Sequence, residues 1–367
     1  MLLYKGPRDQ ILTPLQSVCG IVEKRHTLPI LSNVLIEKNG ERLTLLATDI
    51  EIQITTGTQV SGTEKAAMTV AARKLQDILR SLPESAEVSL TLDDKRLQVK
   101  AGKSRFNLQT LPAEDFPRMS NADGQAAKIK MTQRQFKHLI ALVQYSMAQQ
   151  DIRYYLNGLL LIVNGQEMRV VATDGHRLAF ASEGLAESYG RTEVIVPRKT
   201  ILELSRQLAD NDEPLEIDLT ATQAQFRFGD IELVSKLIDG KFPDYERVIP
   251  QQHSKVLQLR RDQLLQSLLR AAILTNEKFR GVRLVLGDGS LKIISTNAEQ
   301  EEAQEEIEVD YHGEALDVGF NVTYLLDVLN NVATEFIHCK LADASSSALF
   351  VLPDNDRFKY VVMPMRI

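Results

Sequence analysis

The feature that most constrains this chain is that its sequence repeats itself three times. Asn33-Val34-Leu35-Ile36-Glu37 leads through Asn39-Gly40 to Leu45-Leu46-Ala47-Thr48-Asp49. Asn157-Gly158-Leu159-Leu160-Leu161 leads through Asn164-Gly165 to Val170-Val171-Ala172-Thr173-Asp174. Gly281-Val282-Arg283-Leu284-Val285 leads through Gly287-Asp288-Gly289 to Ile293-Ile294-Ser295-Thr296-Asn297. The copies begin 124 and again 124 positions apart. Each predicts two alternating strands joined by a tight turn.

A helical pattern precedes each copy. Ile11, Leu12, Leu15, Val18, Cys19 and Val22 fall on one face; so do Phe136, Leu139, Ile140, Val143 and Met147, and again Leu264, Leu265, Leu268, Leu269 and Ala272. A second helix follows each copy: Leu75, Ile78, Leu79 and Leu82; Ile201, Leu204 and Leu208; Leu325, Val328, Leu329 and Val332. Asp115-Phe116-Pro117 answers Lys241-Phe242-Pro243. The expectation is α+β: three repeated units of roughly 122 residues, the common domain size, each with two helices packed on antiparallel sheets. We draw the units at 1–125, 126–253 and 254–367.

Composition narrows the function. No run approaches the eighteen apolar residues of a membrane span, and Gly6, Pro7 and charges interrupt the first residues before any signal-peptide core can form, so a cytoplasmic location is expected. Gly6-Pro7 also predicts a first strand that is short or displaced, since Pro removes a ladder donor. Cys19 and Cys339, far apart in sequence, exclude a disulfide framework and read as small buried hydrophobes. The six histidines are scattered outside any metal-binding spacing, so neither a metal nor a cofactor is expected.

Net charge is −6, yet basic residues gather on the helices and at their ends: Arg8, Lys24, Arg25, Arg73, Lys74, Arg80, Arg134, Lys137, Arg198, Lys199, Arg206, Arg260, Arg261, Arg270, Lys278 and Arg280. Acids gather in Glu299 to Glu308. Helices that present Lys and Arg without aromatics contact phosphates and do not read bases. Three units in a row can continue by symmetry, and two chains head-to-tail would close a six-unit ring. Twelve helices side by side, at roughly 8–10 Å spacing, give a circumference near 100–120 Å and a hole about 30–38 Å across, enough for a B-form duplex.

Asp174-Gly175-His176-Arg177 looks at first like acid–base machinery, but the sequence carries no nucleophile elbow, P-loop or dinucleotide fingerprint to converge with it. Thr48-Asp49 and Thr296-Asn297 hold the same repeat position, so the Asp reads as a strand-end residue and the chain as a non-enzyme. Asn321-Val322-Thr323 is a formal glycosylation sequon, incidental without a secretory signal.

Over its whole length the chain closely resembles the bacterial β sliding clamps of DNA polymerase III. The resemblance lies in Thr27-Leu28-Pro29-Ile30-Leu31, Ser104-Arg105-Phe106, Ala148 through Gly158, Ala172 through Leu178, Lys241-Phe242-Pro243-Asp244-Tyr245, Asn276 through Gly281, Gly319-Phe320-Asn321-Val322 and Tyr360 through Arg366. It implies a non-catalytic processivity subunit: a head-to-tail homodimer forming a six-domain ring around double-stranded DNA. It implies DNA contacts at Arg25, Arg73, Gln150, Tyr154 and Lys199. It implies a peptide groove built from Arg153, Tyr155, Leu156, Thr173, Gly175, His176, Arg177, Leu178, Pro243, Arg247, Val248, Asn321, Tyr324, Ser347, Val361, Met363, Pro364, Met365 and Arg366. Gly175 suits such a groove because a missing side chain lets another backbone approach, and the two Met flanking Pro364 suit a surface that accepts many partners.

The implied partners are the clamp loader, the polymerase III catalytic subunit, other polymerases and repair proteins, each through a short apolar peptide, with no membrane. The implied dimer interface sets Ile273 and Leu274, read as extending the apolar face of their helix, on Phe106 and Leu108 of the second chain. Around them Lys74, Lys103 and Arg105 would face Glu299, Glu301, Glu302 and Glu305. The competing reading is a protein-interaction scaffold that does not encircle DNA. Basic helix faces separate the two, because the scaffold has no use for them.

Overall fold

The computed structural model describes residues 1–23, 28–120 and 127–367. One order of elements recurs along the chain: strand, helix, four strands, helix, three strands. The first copy holds β1 (Leu2–Pro7), α1 (Arg8–Cys19), β2 (Asn33–Asn39), β3 (Arg42–Thr48), β4 (Ile52–Gln59), β5 (Lys65–Ala71), α2 (Ala72–Ser81), β6 (Glu87–Asp93), β7 (Arg96–Ala101) and β8 (Ser104–Leu111). The second holds β9 (Ala127–Thr132), α3 (Gln133–Val143), β10 (Gly158–Thr173), β11 (Arg177–Pro197), α4 (Arg198–Gln207), β12 (Pro214–Leu219), β13 (Gln223–Phe228) and β14 (Ile231–Lys236). The third holds β15 (Lys255–Arg260), α5 (Arg261–Ala271), β16 (Gly281–Gly287), β17 (Ser290–Thr296), β18 (Glu302–Glu308), β19 (Leu316–Asn321), α6 (Val322–Asn331), β20 (Phe336–Leu341), β21 (Ala348–Leu352) and β22 (Asn355–Val362).

In the second copy, four strands merge into two long ones. β10 runs through the expected Asn164-Gly165 turn, yet its register breaks on both sides of Gly165, whose φ is +60°. Gly158 through Val163 pairs with Thr192 through Pro197, while Glu167 through Thr173 pairs with Leu178 through Gly184. The bend is thus where the sequence places it, inside a continuous strand.

The chain forms two compact units. Residues 1–134 with 202–237 make one; residues 135–201 with 238–367 make the other. The first unit holds a twelve-stranded sheet in the order β1-β6-β7-β8-β5-β2-β3-β4-β14-β13-β12-β9. The second holds a six-stranded sheet, β10-β11-β22-β21-β20-β15, and a four-stranded one, β18-β17-β16-β19. Both compact units cut through the second repeat, because strands pair across repeat boundaries. The fourth strand of copy one, β4, pairs with the last strand of copy two, β14, from Ile52↔Ser235 to Thr55↔Glu232. The corresponding stretch of β11 pairs with the last strand of copy three, β22, from Arg177↔Val362 to Ala181↔Phe358.

The helices form as their spacing requires. Ile11, Leu12, Leu15 and Val18 of α1 are buried, as are Leu75 and Leu79 of α2, and the two helices pack on each other. In the other unit α5 packs on α6, and its Leu264, Leu265 and Leu268 are buried. Two expectations fail here. Leu269 lies off the buried face and is exposed, and the helix stops at Ala271, so Ile273 and Leu274 sit on a 3₁₀ turn with Ile273 77% exposed. The first strand is neither short nor displaced. β1 runs to Pro7 as an edge strand paired only with β6, where a missing donor on the free side costs no ladder bond. Cys19 and Cys339 are buried and reduced, and burial pushes both thiols up to about 12.

Candidate functional site

The Thr-Asp pairs that end β3 and the first hairpin of the second repeat build the same turn. Thr48 Oγ1 donates to Ile52 O at 2.9 Å and accepts from Ile50 N; Thr173 Oγ1 donates to Arg177 O at 2.6 Å and accepts from Gly175 N. Asp49 accepts from the amides of Glu51 and Ile52, and Asp174 from those of His176 and Arg177. The carboxylates are therefore consumed by backbone donors, and neither is placed for proton transfer. The residue after each Asp has positive φ, 71° at Ile50 and 91° at Gly175. Only Gly adopts this region without cost. A Cβ on Gly175 would lie 2.8 Å from Arg153 Nη1, so the missing side chain makes room for a guanidinium, not for another backbone.

Arg177 is the centre of this region. Its side chain, 10% exposed, pairs with Asp174 at 3.0 Å and Asp327 of α6 at 2.5 Å, and donates to Tyr145 O at 2.5 Å. The guanidinium lies 4.4 Å over the Tyr324 ring. Burial opposes its charge, but Tyr360, Asp327 and Asp174 outweigh burial and hold its pKa above the usual arginine value. Tyr360 in turn donates to Tyr324 O at 2.9 Å. Arg177 was expected on the groove wall; its side chain is instead largely enclosed by these partners and ties the 174–176 turn to α6.

The residues expected to form the groove all belong to this unit. Met363 N donates to His176 O at 2.9 Å and Met365 N to Gly319 O at 2.8 Å, so residues 363–367 continue β22 past the turn and reach β19. A Cβ on Gly319 would lie 2.5 Å from Met365 O and 2.7 Å from Ile367 Cδ1, which seats the chain end tightly. Leu156, Leu178 and Val361 are buried in a cluster with Phe242, Tyr245 and Ile249, and Tyr155 packs against it. The first three are buried apolar members of the expected set, whereas Pro243, Val248 (45% exposed) and Met363 (48% exposed) are exposed apolar ones. His176, Arg247 and Arg366 are exposed; Tyr324, Ser347, Pro364 and Met365 are half-buried. Arg247 pairs with Asp244 at 2.9 Å. Asn321 caps α6 by accepting from Thr323 N, so the apparent sequon is a helix cap. Asp327 and Tyr145, 150 and 32 positions from Arg177, carried no sequence signal.

The DNA candidates divide among several places. Gln150 and Tyr154 lie on an exposed loop closed by reciprocal bonds between Asp151 and Asn157, at 2.9 and 2.8 Å. Arg153 folds back onto Asp151, whose carboxyl its side chain and amide pull down to about 2. Ile152, 96% exposed, projects beside them. Arg73 and Lys74 are exposed on α2, and Arg73 Nη2 donates to Val22 O at 2.6 Å. Lys199 is half-buried at the start of α4. Arg25 lies outside the described residues. Several cations counted in the basic helix faces are already committed: Arg8 is buried, and Arg134, Arg206, Arg260, Arg261 and Arg270 pair with carboxylates of the same chain.

At the expected interface, Phe106 and Leu108 are half-buried on β8, beside exposed Lys103 and Arg105. Glu299, Glu301 and Glu302 are exposed. Glu305, expected to face cations of a second chain, instead takes Arg270 Nε at 2.9 Å, which pulls its carboxyl below its usual range. Arg270 was the nearer cation, on the helix that packs against β18.

The whole chain matches known proteins. Models of the N-terminal, central and C-terminal domains of the DNA polymerase III beta subunit match residues 5–120, 130–244 and 246–366. The beta sliding clamp of Pseudomonas aeruginosa is 48% identical over 362 residues, covering 98% of each chain. That of Escherichia coli K12 is 46% identical over 363 residues, again covering 98% of each. The crystal structure of the Pseudomonas aeruginosa clamp bound to griselimycin superposes with a TM-score of 0.96 at 47% identity, covering 100% of both chains.

If Arg177 holds the 174–176 turn to α6, replacing it strands two carboxylates, a loss worth about 3 kcal/mol. Arg177→Met should cut amide hydrogen-exchange protection at residues 175–178 by about 100-fold. Asp327→Asn should act in the same direction and more weakly. Unchanged protection in both variants would show that the buried pair holds nothing.

Proposed function

This chain belongs to the DNA polymerase III beta subunit family, the sliding clamps, and from that premise we propose how its own residues do a clamp's work. It is a non-catalytic processivity factor of DNA replication. Its three domains match the family one by one, and we draw their bounds at 1–125, 126–253 and 254–367.

The observation that carries the reading is a pair of unfilled sheet edges. Twice, the fourth strand of one repeat pairs with the last strand of the next. In the third repeat the equivalent strand is β18, which ends its sheet. In the first repeat the last strand is β8, which pairs along β7 but meets β5 only at Thr110 and Leu111. Open edges of this kind invite another strand. The same pairing rule, applied between chains, joins β18 of one protomer to β8 of a second. Because the contact is head-to-tail, two chains with three repeats each close a six-domain ring. Ile273 and Leu274 then meet Phe106 and Leu108, while Lys74, Lys103 and Arg105 face Glu299, Glu301 and Glu302 at the rim. Exposed ion pairs contribute roughly 0–1 kcal/mol each, so the apolar contact dominates.

The ring encircles double-stranded DNA without reading its sequence. Arg25, Arg73, Gln150, Tyr154 and Lys199 touch it, and contacts made to phosphates rather than bases keep the hold weak and salt-sensitive, as sliding requires. Polymerases, the clamp loader and repair proteins share one groove. An extended peptide lies along Met363 to Arg366, anchoring one or two large apolar side chains over the floor of Leu156, Leu178 and Val361. Such anchoring gives micromolar affinity, about −8 kcal/mol, which permits exchange.

Ile273→Ala with Leu274→Ala should yield monomers in sedimentation analysis; an unchanged dimer would remove this interface. Deleting Met363 to Ile367 should abolish fluorescence-anisotropy binding of a Gln-Leu-x-Leu-Phe peptide while the dimer persists. Undiminished binding by the truncated dimer would place the groove elsewhere.

A further inference from the structure

The internal repeat places a second cleft in the position of the peptide groove. It lies in the first compact unit and is lined by Thr48, Ile50, Pro117, Arg118, Met119, Ser120, Gln223 and Lys236. Thr48 corresponds to Thr173, Ile50 to Gly175, Pro117 to Pro243 and Lys236 to Met363. Four hydrogen bonds of the turn recur, as described above. The seating of the following strand recurs as well: Lys236 N donates to Glu51 O at 2.9 Å, as Met363 N does to His176 O at 2.9 Å. Phe116, like Phe242, is buried just before the proline. Gln223 Nε2 donates to Ser120 O at 3.0 Å, and Gln53 Oε1 accepts from Met119 N at 2.9 Å, so the walls are fixed by bonds and not by chance packing.

The differences between the clefts define the ligand. Ile50, 40% exposed at a backbone angle that disfavours β-branched residues, adds an apolar wall where the groove has Gly175. Lys236 puts an ammonium where the groove has a thioether. Its partner, Glu51, lies 3.4 Å away, and both side chains are about half exposed or more, so the pair contributes little and a ligand carboxylate can replace it. Arg118 on the rim is committed, its guanidinium donating to both oxygens of Glu37 at 2.7 and 3.0 Å, so Lys236 sets the charge preference.

We propose that this cleft is a second, weaker peptide site, selective for an extended segment that carries an acidic side chain next to a large apolar one. The proposal rests on the peptide-groove reading for its ligand class. It goes beyond that reading in giving each protomer two repeat-related sites of different charge preference, so that one partner chain can engage the ring twice.

The test is isothermal titration of the intact dimer with Gln-Leu-Asp-Leu-Phe and Gln-Leu-Lys-Leu-Phe peptides. The aspartate peptide should give a tight phase and a second phase at least 30-fold weaker; the lysine peptide should give the tight phase alone. Lys236→Glu should weaken the second phase at least tenfold and leave the tight one within twofold. Met363→Asp should do the reverse. Ile50→Asn, which the left-handed backbone tolerates, should also weaken the second phase. A one-site isotherm with the aspartate peptide, or a second phase indifferent to Lys236→Glu and Ile50→Asn, would overturn the proposal. A tight phase that survives Met363→Asp would instead contradict the groove reading, while Lys236→Glu still reports on the second cleft.

Discussion

Unpaired strand edges govern this molecule. A β-strand at the rim of a sheet exposes a row of donors and acceptors that must be paired, covered or guarded. Here the fourth strand of each repeat presents such a rim, and in two of the three repeats the last strand of the next repeat fills it. That single rule fuses three repeats into two compact units cut at places the sequence repeat does not mark. It also leaves β18 and the outer side of β8 unfilled. The proposed dimer satisfies the same rule once more, without requiring a different kind of interface.

The proposed peptide groove follows from the same arrangement. Where the second repeat's strand meets β22, the chain end continues past the pairing and lies beside the Thr173–Arg177 turn. Two segments far apart in sequence thus become one wall, fixed by backbone bonds. Arg177 secures the turn from behind, and the exposed side chains are left free to meet a ligand. Backbone fixation with adaptable methionines gives a site that is rigid in register and tolerant in side-chain fit.

Much of this was legible in the sequence because it is local. Periodicity predicted all six helices, and the Asn39-Gly40 and Gly287-Asp288-Gly289 turns fall between strands as expected. The strand-end role of Asp174 followed from its counterpart Asp49. What failed was tertiary. Pro7 is tolerated because β1 is an edge, which no local pattern shows. Leu269 lies off the buried face of its helix, and Ile273 faces outward because that helix ends at Ala271. Arg177 and His176 look alike in sequence; the distant Asp327 and Tyr145, 150 and 32 positions away, help make the first an enclosed strut while the second stays exposed. Charge counting overrated the basic helix faces for the same reason, since the carboxylates that occupy Arg134, Arg206 and Arg270 are invisible until the chain folds.

The central claim is topological: the protein stays on DNA because it surrounds it, not because it grips it. Retention on a nicked circular duplex after loading, followed by linearisation of that circle, tests this directly. The protein should remain bound to the circle through a high-salt wash and leave within the time of cutting, by sliding off the new ends. Retention on the linear product, or loss from the intact circle at the same salt, would contradict encirclement.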